Sequence, residues 1–285
     1  MSQVEFCGIS LRHPVVNGSG TFDLMAAVQA FGEAIRERFP FAAFVSKTIT
    51  LEPRAGNPPP RLYETPAGMI NSIGLPGPGV AGYLEHDLPE LARLGVPLFT
   101  NVMGSSADEV GELFDRVDTE AQIAAIELNV SCPNVKTGLD IGSDPGELEG
   151  LLGAVRPRLS KPLIVKLTPN VTDVAEIARA AESAGADAVS LVNTLRAWAP
   201  HPERPAEPWL GAVRGGLSGP AIRPVALSQV EAVASATGMP VVGMGGISRS
   251  EHARQFLDAG ATLVAVGTES FRDPLAAASI AAALS

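Results

Sequence analysis

The apolar run 124–128 ends in Asn129-Val130-Ser131-Cys132-Pro133-Asn134, which gathers amide, hydroxyl and thiol side chains within six residues. A buried strand that turns polar at its carboxyl end is how parallel α/β proteins present chemistry. Cys132 is one of only two cysteines, and Pro133 stiffens the turn beside it. A thiol reaches its thiolate near neutral pH and can act as base or nucleophile. A free cysteine is also often simply a small hydrophobe, so this loop alone does not decide.

The pattern recurs along the chain. Apolar segments at 14–17, 42–46, 97–100, 124–128, 163–165, 188–192, 241–243 and 263–266 make eight expected strands. Their carboxyl ends carry Asn17-Gly18-Ser19-Gly20, Lys47-Thr48, Asn101, Asn129 with Cys132, Lys166, Asn193-Thr194, Gly245-Gly246 and Gly267-Thr268. Amides and ammonium groups dominate this set. The histidines at 13, 86, 201 and 252 fall away from it without ligand spacing, which argues against metal-dependent chemistry. Gly245-Gly246-Ile247-Ser248 and Gly267-Thr268, after the seventh and eighth strands, match the phosphate site of many barrels, where bare backbone N–H groups hold an anion. Gly215-Gly216-Leu217-Ser218-Gly219 is expected to add donors to it. Asparagines and lysines around a flat site suit a planar heterocycle rich in carbonyls, and Lys166 could stabilise charge on a reduced ring. A reducible ring with one phosphate is FMN. The rival on the same residues is a flavin-free lyase with Lys166, or Lys47, as a Schiff base.

Eight β-then-α units predict a (β/α)8 TIM barrel, α/β in class, as a single domain over 1–285. Segments 4–6 and 9–11, around Cys7-Gly8, predict an N-terminal β-hairpin capping it. The patterns 174–184 and 249–259 read as helices that open after Asp or Ser and close on glycine. Stretches 52–79 and 194–220, dense in proline and glycine, read as long loops over the C-terminal face. A doubly wound sheet is the competitor, but no GxGxxG turn follows the first strand. Apolar residues are 46% of the 285, enough for a large core. The net charge of −10, without a basic stripe, speaks against a nucleic-acid surface. Too few cysteines for a disulfide framework, no leader pattern and no run of roughly 18–20 apolar residues predict a cytoplasmic protein off the membrane.

Several of these motifs, taken in order, resemble dihydroorotate dehydrogenase: Lys47-Thr48; Pro53-Arg54 with Gly56-Asn57-Pro58; Glu64-Thr65-Pro66 with Gly68-Met69; Asn71-Ser72-Ile73-Gly74-Leu75; Asn129 through Asn134; Val165-Lys166-Leu167 with Pro169-Asn170; and 215–222. Cysteine at 132 resembles the soluble class 1 enzymes, and the proline-rich run resembles the NAD-linked class 1B catalytic subunit. The resemblance implies oxidation of dihydroorotate to orotate in de novo pyrimidine biosynthesis, Cys132 as general base, and hydride passing to N5 of FMN. It implies FMN contacts from Ser19, Lys47, Thr48, Asn101, Asn129, Lys166, Val192, Gly219, Gly245, Gly246, Gly267 and Thr268. Around the substrate it implies Lys47, Asn71, Ser72, Ile73, Gly74, Leu75, Asn129, Asn134, Asn193 and Thr194. It further implies a homodimer, with FAD and an iron–sulfur cluster on a separate electron-transfer subunit. Gly77 stands where the family more often has asparagine, and 195–215, with Trp198 and Trp209, departs from the usual wording. Those departures leave open a flavin oxidoreductase of the same family acting on another pyrimidine or unsaturated substrate.

Overall fold

The computed structural model describes residues 3–131 and 141–284. Val4–Phe6 (β1) and Ile9–Leu11 (β2) form the expected antiparallel hairpin. Strands Val15–Asn17 (β3), Phe44–Val45 (β4), Leu62–Thr65 (β5), Gly68–Asn71 (β6), Leu98–Val102 (β7), Ile123–Asn129 (β8) and Leu163–Lys166 (β9) follow. Ala188–Leu191 (β10), Leu195–Trp198 (β11), Arg214–Ser218 (β12), Val241–Met244 (β13) and Leu263–Val266 (β14) complete the set. Eight of them pair in the order β3-β14-β13-β10-β9-β8-β7-β4 through parallel ladders. With helices between the strands, this is the (β/α)8 barrel.

The two edge strands meet through a side chain. Ala42 N–H donates to the Val15 carbonyl at 2.9 Å. One step higher, the buried Asn17 amide takes the place of a backbone partner: Oδ1 accepts from Val45 N–H and Nδ2 donates to the Val45 carbonyl, both at 2.8 Å. Asn17 therefore seals the barrel wall rather than meeting a ligand.

Side chains alternate along a strand, so every second residue enters the barrel. The interior cluster contains Val16, Phe99, Ala125, Ile164, Ala188, Val242 and Leu263. Phe6 and Leu11 of the hairpin join it from below, with the Phe6 and Phe99 rings stacked 6.0 Å apart. A second, larger cluster fills the space between strands and helices. Both helices singled out from sequence form, as Val174–Ser183 and Ser250–Asp258. Each ends at a left-handed glycine, Gly185 (φ +90°) and Gly260 (φ +99°). Asp173 caps the first, accepting from Ala175 and Glu176 N–H. Ser248 does not cap the second: its hydroxyl is 3.2 Å from His252 Nδ1, which competes for it.

One sequence expectation is corrected. The proline- and glycine-rich stretches are not structureless: they contribute a separate antiparallel sheet in the order β11-β12-β6-β5. No helix of the described residues is long and apolar enough to cross a membrane.

His13 gives the fold an acid limit. Its Nδ1 accepts from Val15 N–H at 3.3 Å, which requires the neutral ring. Burial, reinforced by the Arg12 guanidinium, pushes the imidazole down to about 4. The unfolded chain takes this proton near pH 6.5 and the native state does not, so stability falls as pH drops from about 6.5 to about 4. At most about 3 kcal/mol is at stake. Thermal unfolding of His13→Gln should show a shallower acid-side loss across that window than the parent protein; parallel pH profiles would count against the assignment.

Candidate active site

The interior layers change character over one step of the strand repeat. Phe99 is followed two residues later by Asn101, Ala125 by Glu127 and then Asn129, Ile164 by Lys166, and Ala188 by Ser190. Apolar filling thus gives way to a polar floor at the carboxyl end of β7, β8, β9 and β10. Asn101 and Glu127 are register partners, as are Asn129 and Lys166, and Lys166 and Ser190. Asn101 Nδ2 donates to Glu127 Oε1 at 2.5 Å and Ser190 Oγ to Glu127 Oε2 at 2.6 Å. Lys166 Nζ lies 4.0 Å from Glu127 Oε1. Asn101 Oδ1 is buried with no hydrogen-bond partner among the described residues.

Above this floor opens a pocket whose wall includes Lys47, Asn129, Lys166 and Asn193 and no aspartate or glutamate among the described residues. A protein of net charge −10 thus keeps two ammonium groups in a pocket without acids. The amides are oriented by their own turns. Asn129 Oδ1 accepts from Ser131 N–H (3.1 Å) and Asn193 Oδ1 from Thr194 N–H (2.8 Å), which leaves both Nδ2 groups as donors. Such a site suits a flat ligand bearing carbonyl oxygens and negative charge.

The second sheet covers one side. Met69, Asn71, Ile73 and Leu75 reach the pocket from β6 and the segment after it. That segment is clasped to 56–57: Asn57 N–H donates to the Ile73 carbonyl (3.0 Å) and Asn57 Nδ2 to Ser72 Oγ (2.9 Å). Gly74 (φ +77°) must be glycine here, since a Cβ would lie 2.4 Å from Asn57 N. Ser72 and Gly74 do not line the pocket; they fasten the loop that presents Asn71, Ile73 and Leu75. Gly77 exchanges two backbone hydrogen bonds with Arg54, and a side chain there would meet nothing within 4 Å. Departure from asparagine at this position leaves the loop's anchoring intact.

Further parts of the wall are glycine-rich turns: Gly18, Ser19, Gly20, Gly219, Gly245, Gly246, Gly267 and Thr268. Their reasons differ. At Gly267 a Cβ would meet only a Thr21 methyl at 3.6 Å, and at Gly20 nothing, so bare backbone leaves room for an occupant. At Gly246 (φ +71°) a Cβ would strike the Gly219 carbonyl at 2.8 Å, so packing forbids it. Gly215 and Gly216 are absent from the pocket wall. They sit in β12, where a Cβ on Gly216 would fall 1.8 Å from Thr194 Oγ1. Close strand packing, and not the anion role expected from sequence, explains that pair.

Of the remaining sequence-predicted site residues, Thr48, Val192 and Thr194 also line the pocket. Asn101 is in the floor, outside the lining. Cys132 and Asn134 lie outside the described residues. Ser218, expected among the anion donors, lines the pocket; sequence reasoning missed Thr21, Leu62, Ile222, Met244 and Phe271 in its wall, and Glu127 beneath it. A carboxylate inside an otherwise apolar strand was the available signal for Glu127, because a buried charge needs partners.

Comparison with known proteins agrees with this geometry. The family model described as Dihydroorotate dehydrogenase matches residues 1–285. The "Dihydroorotate dehydrogenase B (NAD(+)), catalytic subunit" of Geobacter sp. (strain M21) is 47% identical over 279 residues, covering 98% of this chain and 90% of that protein. The protein of that name from Desulforudis audaxviator (strain MP104C) is 47% identical over 285 residues, covering 99% and 90%. The one from Geotalea daltonii is 44% identical over 285 residues, covering 99% and 91%. With the barrel, the donor-rich pocket and a family match along the whole chain, this protein belongs to the dihydroorotate dehydrogenase family, whose members are flavin enzymes.

Proposed function

We propose that this chain oxidises dihydroorotate to orotate in pyrimidine biosynthesis with FMN as its resident acceptor. The observation that carries the reading is the acid-free pocket over a polar floor. It offers ammonium and amide donors, room beside Gly20 and Gly267, and beneath it a buried Asn101 Oδ1 that lacks a donor among the described residues. These features fit a phosphorylated heterocycle with carbonyl oxygens and a ring N–H. When bound, FMN supplies the hydride acceptor, at N5.

The chain's own residues do the rest. Gly219, Gly245, Gly246, Gly267 and Thr268 hold the phosphate with backbone N–H groups. Ser19, Lys47, Thr48, Asn101, Asn129, Lys166 and Val192 surround the rest of the cofactor. Asn71, Asn129, Asn134 and Asn193 meet the pyrimidine carbonyl and N–H edges, with Thr194 beside them, and Lys47 the carboxylate. Ile73 and Leu75 close the apolar side, and the Ser72 and Gly74 clasp sets their position. Cys132, three residues beyond Asn129, takes the C5 proton as thiolate while the C6 hydride leaves. The protein works in the cytoplasm as a homodimer. An electron-transfer subunit carrying FAD and an iron–sulfur cluster passes electrons to NAD, as the words "catalytic subunit" in the relatives' names support.

The test is purification, an absorbance scan and anaerobic addition of dihydroorotate. Loss of the flavin's visible absorbance is expected with dihydroorotate and not with dihydrouracil. A colourless folded protein that borohydride traps with substrate would favour the Schiff-base lyase instead. Bleaching by dihydrouracil alone would move the assignment to another pyrimidine.

A further inference from the structure

We propose that Glu127 is a positioning residue that sets the hydrogen-bond polarity of the pocket floor, deciding which atoms Asn101 and Lys166 offer to the cofactor ring. The inference rests on the reading that FMN occupies this pocket. Glu127 is only 3% exposed, on β8 between Ala125 in the apolar interior and Asn129 in the pocket wall. An ionised carboxylate only accepts hydrogen bonds. Asn101 can therefore turn only its NH2 group toward Glu127, as the 2.5 Å contact shows, and Oδ1 must face away. That oxygen is buried and has no partner among the described residues, an arrangement normally avoided because the lost hydration is not repaid. Asn101 is set back in the floor from the pocket lining, and the donor assigned to its Oδ1 is a ring N–H of a cofactor seated on that floor.

The remaining contacts follow the same logic. Ser190 Oγ donates to the second carboxylate oxygen at 2.6 Å, which stops the carboxylate from rotating. The Lys166 ammonium, in the pocket wall and 4.0 Å from Oε1, has its counter-charge beneath it. One buried carboxylate thus orders an acceptor from β7 and a cation from β9. Glutamine has nearly the same size but can donate as well as accept. In Glu127→Gln the Asn101 amide is free to flip, and Lys166 loses its counter-charge.

A packing role and a polarity role rank two variants oppositely. Glu127→Gln keeps shape and loses the acceptor-only rule; Glu127→Asp keeps the rule and shortens the reach. Apoprotein of each is titrated with free FMN, and the flavin midpoint potential is measured alongside Tm. Glu127→Gln should bind FMN at least tenfold more weakly than the parent, with a shifted potential. Glu127→Asp should lie between the two. Gln performing as well as Asp, or better, on both readouts would overturn the proposal. If the parent apoprotein fails to bind FMN, the flavin reading fails; if it binds and Glu127→Gln matches it, only the role of Glu127 fails. Should Glu127→Gln not fold, Glu127→Gln with Asn101→Asp exchanges donor and acceptor across the same contact. That pair still turns an acceptor oxygen away from the contact, so it should recover Tm and FMN affinity together, and recovery of Tm alone overturns the proposal.

Discussion

Cys132→Ala should slow flavin reduction by dihydroorotate about 10²- to 10⁴-fold, the usual worth of a positioned general base, while FMN content stays unchanged. The proposed reaction removes a proton from C5 and a hydride from C6, and the proposal assigns the two losses to different groups. On the proposed assignment, hydride transfer depends on the flavin and on ring alignment by Asn71, Asn129 and Asn193, and proton loss on a base at residue 132. The donors that line the described pocket wall stay in place, so the effect should appear in the rate of reduction more than in dihydroorotate affinity. A thiol has a reference pKa near 8.5. The parent rate should therefore rise with pH through the thiol's ionisation and then level off. In Cys132→Ser the plateau should disappear, because a serine hydroxyl does not ionise in the accessible range. Stopped-flow mixing under anaerobic conditions reads this step directly. An unchanged reduction rate in Cys132→Ala would remove Cys132 from the mechanism and leave the flavin assignment standing.

The barrel and its chemistry were legible for one physical reason: parallel strands are short apolar runs, and polar residues appear where those runs end. Lys47, Asn129, Lys166, Asn193 and Thr268 were found that way, and all line the pocket. What stayed hidden depends on contacts between distant segments. The second sheet is one case: Pro66 follows β5 directly, and β6 and β12 contain Gly68, Gly215 and Gly216, residues that weaken a strand taken alone. Those glycines are required because the strands approach Ser218, Asn71 and Thr194 too closely for a Cβ, which no local pattern reveals. Asn17 is another case. It stands at a strand end like the pocket asparagines, yet its amide closes the barrel against Val45. Asn101 lies deeper than its neighbours because Glu127, read from sequence as one more residue of a buried strand, draws its amide into the floor.

Gly68→Ala should be the most damaging single methyl in the described structure, lowering stability by on the order of 2–4 kcal/mol and releasing FMN on desalting. Gly68 begins β6 with φ +149°, a conformation almost reserved for glycine, and an added Cβ would sit 2.0 Å from the Ser218 carbonyl oxygen. The contact is mutual: Gly219 has φ +93°, and its own Cβ would lie 2.7 Å from the Gly68 Cα. Ala221 N–H donates to the Ala67 carbonyl at 2.9 Å across the same crossing. Two backbones therefore touch where the second sheet meets the barrel, and neither can retreat cheaply. Gly219 is also in the pocket wall, its carbonyl packs under Gly246, and Ser218 Oγ accepts from Thr268 Oγ1 at 2.9 Å. Displacing Ser218 and Gly219 by an ångström would thus shift the donors assigned to the phosphate, so stability and cofactor retention should fall together. Gly153→Ala is the control. It lies in the helix Pro145–Val155 with nothing within 4 Å of a Cβ, and should stabilise by about 0.4–1 kcal/mol by restricting the unfolded chain. Urea midpoints and flavin retention measured on both variants separate strain at the crossing from a general intolerance of added methyl groups. A Gly68→Ala protein as stable and as yellow as the parent would show that this crossing does not hold the cofactor wall in place.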